Sequence, residues 1–279
     1  MFLLENILNK HHKDLSKLTF HLDEANTDKS LKEFVKKIIL KKLTIIPKEY
    51  LNYKLSITFQ NKTNQLILFS DFKNVFIQNV YLQNEITQEI KNKIKLTKTS
   101  IWTNPDLLLE INYNSIIYLI PIELKSTKTN NIPGSSIQQI NPNNWVIFIK
   151  HSTEKIEVIT GQYINTINKK IPFPDRSPRP QISFNELQTW NQKNRIISNS
   201  LISYNIDNEN KEKQDILQDW QKVLASNWIN IIFNNQTKKT ESWFNNNLRK
   251  FVLLFLEKYE LLSNEEKEKF KNELIKKIK

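Results

Sequence analysis

Two apolar stretches of strand length, Asp106-Leu107-Leu108-Leu109-Glu110-Ile111 and residues 116–124, are separated only by Asn112-Tyr113-Asn114-Ser115. Branched apolar runs of this kind belong to strands buried on both faces, and a short polar connection rich in Asn and Ser folds one back on the other. A sheet containing such a hairpin needs helices on both sides. Trp145-Val146-Ile147-Phe148-Ile149 predicts another buried strand, and residues 156–160 a further one. Upstream, residues 28–46 set Leu31, Phe34, Val35, Ile38, Ile39 and Leu43 at helical spacing behind Asp28 or Ser30. Residues 53–59 and 65–69 read as strands joined by a turn at 61–64, and 84–95 as a basic helix. The expected fold is α/β: a central mixed β-sheet flanked by helices.

Residues 171–181 carry four prolines and predict a loop. Beyond the polar stretch 205–214 the pattern is helical. Residues 215–233 align Ile216, Trp220, Val223, Leu224, Trp228, Ile231 and Ile232, and 241–262 align Phe244, Leu248, Phe251, Phe255 and Tyr259. Ser263-Asn264-Glu265-Glu266 is a capping box opening a last helix to Lys279. The expected division is a sheet-bearing domain over 1–204, including the loop 171–181, and an all-helical C-terminal subdomain over 205–279.

A net charge of +12 favours a polyanionic partner, because each phosphate contact by Lys or Arg releases condensed counterions. The absence of cysteine excludes disulfides and thiolate metal sites, and the four histidines show no HExxH spacing. With only Gly134 and Gly161, neither a P-loop nor GxGxxG can be built, and GxSxG is absent. No apolar run approaches the roughly 20 residues of a spanning helix, and the first residues do not read as a secretory signal, so a cytoplasmic protein with no membrane partner is expected. Lysine is abundant and arginine scarce: Arg176, Arg179, Arg195 and Arg249 are the only four. Where lysine is the default base, a retained arginine points to use of its planar fork.

Asp106 follows Pro105 at the start of one buried strand, and Glu123-Leu124-Lys125 closes the next, with sixteen residues between Asp106 and Glu123. Residues two apart on a strand share a face, so Glu123 and Lys125 project together while Ile122 and Leu124 point into the core. A hairpin brings Asp106 beside them. Two carboxylates converging at a sheet edge repel unless a cation lies between them, and oxygen ligands suit Mg²⁺ or Mn²⁺. An adjacent ammonium can orient the attacking water, or deprotonate it if its pKa is lowered. The pattern (Asp/Glu)-x-Lys also occurs at Asp71-Phe72-Lys73 and Glu89-Ile90-Lys91, but Glu89 and Lys91 lie in a helical pattern, where residues two apart diverge.

Pro105-Asp106 with Glu123-Leu124-Lys125 resembles the PD-(D/E)xK nuclease superfamily. That resemblance covers residues 28–160 by element order. It implies a catalytic set of Asp106, Glu123 and Lys125, Mg²⁺ held by Asp106, Glu123 and the Leu124 carbonyl, and phosphodiester hydrolysis leaving 5′-phosphates. Size and the lack of an ATPase motif most resemble type II restriction endonucleases, which implies site-specific cutting of double-stranded DNA, a homodimer matched to a two-fold target, and a cognate methyltransferase in a restriction-modification system. A repair or mobile-element nuclease and a non-catalytic basic DNA-binding module are the alternatives. Glu33 is a candidate further metal ligand. Arg176 and Arg179, on the proline-stiffened loop, are candidates for bidentate contacts to guanine, with Arg195, Gln138 and Gln139 as further DNA contacts.

Overall fold

The computed structural model describes residues 1–18, 24–59, 62–95, 105–137, 140–152, 155–168, 179–205, 211–233 and 243–278. In chain order the helices are α1 (Phe2–Lys10), α2 (His12–Ser16), α3 (Glu24–Lys42), α4 (Gln88–Lys95), α5 (Phe184–Asn194), α6 (Lys211–Gln218), α7 (Trp220–Phe233), α8 (Trp243–Glu260) and α9 (Asn264–Lys277). The strands are β1 (Lys54–Phe59), β2 (Lys62–Leu68), β3 (Val75–Leu82), β4 (Leu107–Tyr113), β5 (Ile116–Thr127), β6 (Asn131–Pro133), β7 (Trp145–His151), β8 (Ile156–Gln162), β9 (Gln181–Ser183), β10 (Arg195–Ser198) and β11 (Leu201–Asn205). None of the described helices is long and apolar enough to cross a membrane.

Two compact units divide the chain at 218/219. The first holds a five-stranded mixed sheet in the order β3-β4-β5-β7-β8, in which only β5 and β7 run parallel. The expected fold class is therefore observed. A second sheet, β10-β11-β1-β2, pairs the β1–β2 hairpin with a strand far along the chain, and β6 and β9 form a short ribbon. The turn between β4 and β5 consists of Asn114 and Ser115, both left-handed at φ 50° and 67°, and β10–β11 repeats the device with Asn199 and Ser200 at 45° and 64°. Tight hairpins need positive φ at both central positions, and asparagine, which tolerates that region better than most side chains, serves here in place of glycine.

The two faces of the central sheet have different roles. Leu107, Leu109, Ile122, Leu124 and Ile147 pack against Leu4 and Leu8 of α1 and Leu31, Val35 and Ile39 of α3, forming the larger core. On the other face, Val146, Phe148 and Ile159 meet Tyr163, Phe184 and Leu187 near α5, while Ile86 and Ile90 cover Leu108. Glu123 and Lys125 lie on β5 between those two covered patches.

The outer edge of β8 is closed by side chains. Asn9 donates to the Val158 carbonyl at 2.8 Å and accepts from the Val158 N–H at 2.9 Å. One helical turn earlier Glu5 accepts from the Thr160 N–H and hydroxyl at 2.7 and 2.9 Å, and Asn191 donates to the Thr160 carbonyl at 3.1 Å. Four residues on a helix rise about 6 Å, close to the rise of two on a strand, so α1 matches the edge with this spacing. Glu5 is buried and is also gripped by both terminal nitrogens of Arg195, at 2.6 and 2.9 Å.

The pattern at 215–233 resolves into two helices that break at Asp219, with α6 in the first unit and α7 in the second. The Ser263 capping box forms as expected, its hydroxyl accepting from the Glu266 N–H while Glu266 accepts from the Ser263 N–H at 2.8 Å. Trp228 meets Phe244, and Phe255 and Tyr259 meet Phe270 across α8 and α9.

Arg195→Met leaves buried Glu5 without its cation, and loss of one partner of a buried pair costs about 3–5 kcal/mol. The expected result is a lower urea midpoint at unchanged m-value. If the variant instead keeps its stability and loses DNA affinity, Arg195 is a nucleic-acid contact rather than a structural one.

Candidate active site

The β4–β5 register ends at Leu107 opposite Ile122, so one step further places Asp106 across from Glu123. Here β4 has ended, and the Asp106 side chain takes over the ladder: its Oδ2 accepts the Leu124 N–H at 2.8 Å. The N–H and C=O of an extended residue face the same neighbour, which directs the Leu124 carbonyl to the side where Asp106 stands. Ile122 and Leu124 are buried in the main core, while Glu123 and Lys125 turn to the opposite face. The three residues of the sequence motif are thus brought together at one end of the sheet. By contrast, Glu89 lies on α4 and pairs with Lys93, and Asp71 accepts from the Leu68 N–H in a turn, so the competing set does not converge.

Two ammonium groups accompany the two carboxylates. Lys125 Nζ is 3.3 Å from Glu123 Oε2 and donates to Ser135 Oγ at 3.3 Å. Lys32 of α3, on the other side of the sheet, reaches round its end to place Nζ 2.8 Å from Asp106 Oδ1. Side-chain exposure is 12% for Lys32, 17% for Asp106 and 18% for both Glu123 and Lys125, so these charges act on one another with little screening. Burial pushes the Glu123 carboxyl up, and Asp106 adds to that against the pull of Lys125 and Lys32. Burial by itself would lower Lys125, but Glu123, Tyr163 and Asp106 together hold it above the ordinary lysine range. Lys125 is accordingly a firm ammonium in this arrangement. An ammonium in this state suits the first of its two expected roles, orienting the attacking water.

The loop after β5 is fixed from behind. The Ser135 N–H donates to the buried Tyr163 hydroxyl at 2.8 Å, and the Gly134 N–H to the Pro180 carbonyl at 2.8 Å. A Cβ on Gly134 would lie 2.6 Å from that carbonyl and 2.7 Å from the Tyr163 hydroxyl, so only glycine lets the loop pass. Burial first, against Lys125 and Ser135, raises the Tyr163 pKa and keeps it a neutral phenol.

The other candidates are placed as follows. Glu33 is exposed in a separate groove with Lys36, Lys37 and Glu85; its neighbour Lys32 is the α3 residue that reaches the carboxylates. Arg195 is held by Glu5 at a side-chain exposure of 10%. Arg179 is exposed and immediately precedes Pro180, the residue locked to Gly134 beside the site. Arg176, Gln138 and Gln139 lie outside the described residues.

Asp106 and Glu123, with the Leu124 carbonyl, form an all-oxygen donor set suited to Mg²⁺ or Mn²⁺, and the Lys32 ammonium on Asp106 marks a position that already favours a cation. Among the described residues no group of three or more His, Cys, Asp or Glu could hold a metal. Mg²⁺ commonly takes only one or two carboxylates, with water and phosphate completing its shell, so the residues fit it.

Because its folded pKa is raised, Glu123 favours the folded state when protonated. That contribution is present below its ordinary value and is lost as pH rises through the raised one. A cation bound to the carboxylate opposes this, so protons and metal compete. Stabilisation by Mn²⁺, read from melting temperature across pH, is expected to fade on acidification at a higher pH than for a surface carboxylate. An onset in the ordinary carboxylate range would count against Glu123 as a candidate metal ligand.

Compared with protein-family models, with curated proteins and with solved structures, the chain gives no match.

Proposed function

We propose that this chain is a Mg²⁺-dependent endonuclease of double-stranded DNA, with Asp106, Glu123 and Lys125 as its catalytic residues and Mn²⁺ as a working substitute. The observation that carries this is the opposition of Asp106 and Glu123 where β4 ends, with Lys125 on the same face as Glu123. The charge of +12 supports a polyanionic substrate. When bound, Mg²⁺ supplies charge neutralisation at the scissile phosphate and a more acidic water. The Leu124 N–H holds Asp106 in position, while Ser135 and Glu123 hold the Lys125 ammonium, which as a cation orients water and stabilises negative charge on the phosphoryl oxygens. A two-fold DNA site has two scissile phosphates, so one site per chain fits a homodimer acting as a type II restriction enzyme.

Asp106→Ala and Glu123→Ala are each expected to abolish Mg²⁺-dependent cutting of phage DNA while keeping or strengthening duplex binding, because each removes a metal ligand and a repulsion with phosphate. Lys125→Ala is expected to be nearly inactive with metal binding less affected. Discrete fragments mean site-specific cutting and a smear a nonspecific nuclease; retained cutting by either carboxylate variant, or tight salt-sensitive binding without cleavage by the native chain, overturns the proposal.

Arg179, exposed next to the segment that locks the catalytic loop, is the candidate base contact of this proposal. If it forks onto guanine, Arg179→Lys keeps the charge and loses about 1–3 kcal/mol of discrimination. Affinities for cognate and scrambled duplexes at several salt concentrations, in the Asp106→Ala background with Ca²⁺, test this. Equal losses on both duplexes would assign Arg179 to phosphate.

A further inference from the structure

Asp106 has one oxygen committed to the fold and one to a cation. Oδ2 accepts the Leu124 N–H, and the Lys32 ammonium stands 2.8 Å from Oδ1. Lys32 arrives there from an unexpected direction. Its helix packs Leu31, Val35, Ile38 and Ile39 into the core on the face away from Glu123 and Lys125, and only its long stem carries the charge round the sheet end. With Lys125 on Glu123, two carboxylates face two ammoniums among the described residues.

A divalent cation entering between Asp106 and Glu123 adds two positive charges to that set. At side-chain exposures of 12–18%, repulsion between the newcomer and Lys32 is weakly screened, and both want the same oxygen. Lys32 reaches Asp106 Oδ1 on a side chain long enough to swing aside when a divalent cation takes that oxygen. An incoming phosphate offers a new anion to an ammonium moved off Oδ1.

We propose that Lys32 is a tethered counter-ion of the metal site: it neutralises Asp106 until a divalent cation displaces it, and a nucleic-acid phosphate receives it once displaced. Lys32 is in this sense a positioning residue, and it couples metal binding to phosphate binding with the reciprocity that any such linkage requires. The inference rests on the nuclease reading for the identity of the phosphate, but not for the competition at Asp106.

The test is Mn²⁺ titration of the full chain by calorimetry, with and without a short duplex bearing non-cleavable phosphorothioate linkages. Lys32→Met, which keeps the apolar stem and removes the charge, is expected to bind Mn²⁺ about tenfold more tightly without DNA, the scale of a well-placed ion pair. The duplex should then enhance Mn²⁺ affinity less than in the native chain. Lys32→Arg should behave like the native chain, and Asp106→Asn should erase the gain from Lys32→Met. Should Lys32→Met fold poorly, Lys32→Gln serves, and the same tightening is required of it. Equal or weaker Mn²⁺ binding by the neutral variants, or no Mn²⁺ binding by any chain, overturns the proposal. Tighter binding by the neutral variants together with no DNA cleavage by the native chain would keep the counter-ion and reject the nuclease.

Discussion

A carboxylate finishes a β-ladder in this protein. Where β4 ends, the Asp106 side chain accepts the Leu124 N–H that a further strand residue would have taken, and this one bond sets the position of an acid directly across from Glu123. Everything at the site follows from that placement. Two partly buried carboxylates at the end of a sheet are costly unless balanced, and the balance comes from Lys125 on the same strand and Lys32 from a helix on the opposite face. The fold that produces this geometry must therefore bring β4, β5 and α3 together at a single corner.

The main core secures the corner. Leu107, Ile122 and Leu124 lie on the buried face and alternate with, or directly adjoin, the charged residues, so the packing of Leu31, Val35 and Ile39 against them fixes which way Glu123 and Lys125 point. A one-residue slip of β5 would send the two charges into the core and Leu124 toward solvent. The loop that carries Ser135 is held from the other side by Tyr163 and by the chain that closes on Pro180, and glycine at position 134 is what makes the fit possible.

Those parts of the design that depend on local periodicity are legible in the sequence. The alternation in Ile122-Glu123-Leu124-Lys125, the Asn114-Ser115 turn, the helix around Leu31–Ile39 and the Ser263 cap all declare themselves within a few residues. Lys32 does not, because it is one lysine among several on a helix flank, and nothing local says that its stem reaches past a sheet end; the superfamily resemblance pointed to Glu33, one position away. Scarcity of arginine was a sound clue to a demanding role for Arg195, whose planar fork grips Glu5. The second sheet was hidden for a similar reason: β1 pairs with β11 across some 145 positions of chain, and such pairing leaves no periodic trace. Helix α1 had the apolar spacing, Phe2, Leu4, Ile7 and Leu8, yet its polar members Glu5 and Asn9 face a strand and not water.

An open sheet offers its last strand as a template, since unpaired amide groups along that edge can recruit another extended chain. At β8 the recruiting groups of Val158 and Thr160 are already occupied by Glu5, Asn9 and Asn191. The central sheet therefore cannot grow through β8 by strand addition, and two copies that meet there must do so through side chains. Until α1 docks, β8 is a bare edge in a lysine- and asparagine-rich chain, so the helix at the start of the sequence protects a strand about 150 residues later from aggregation.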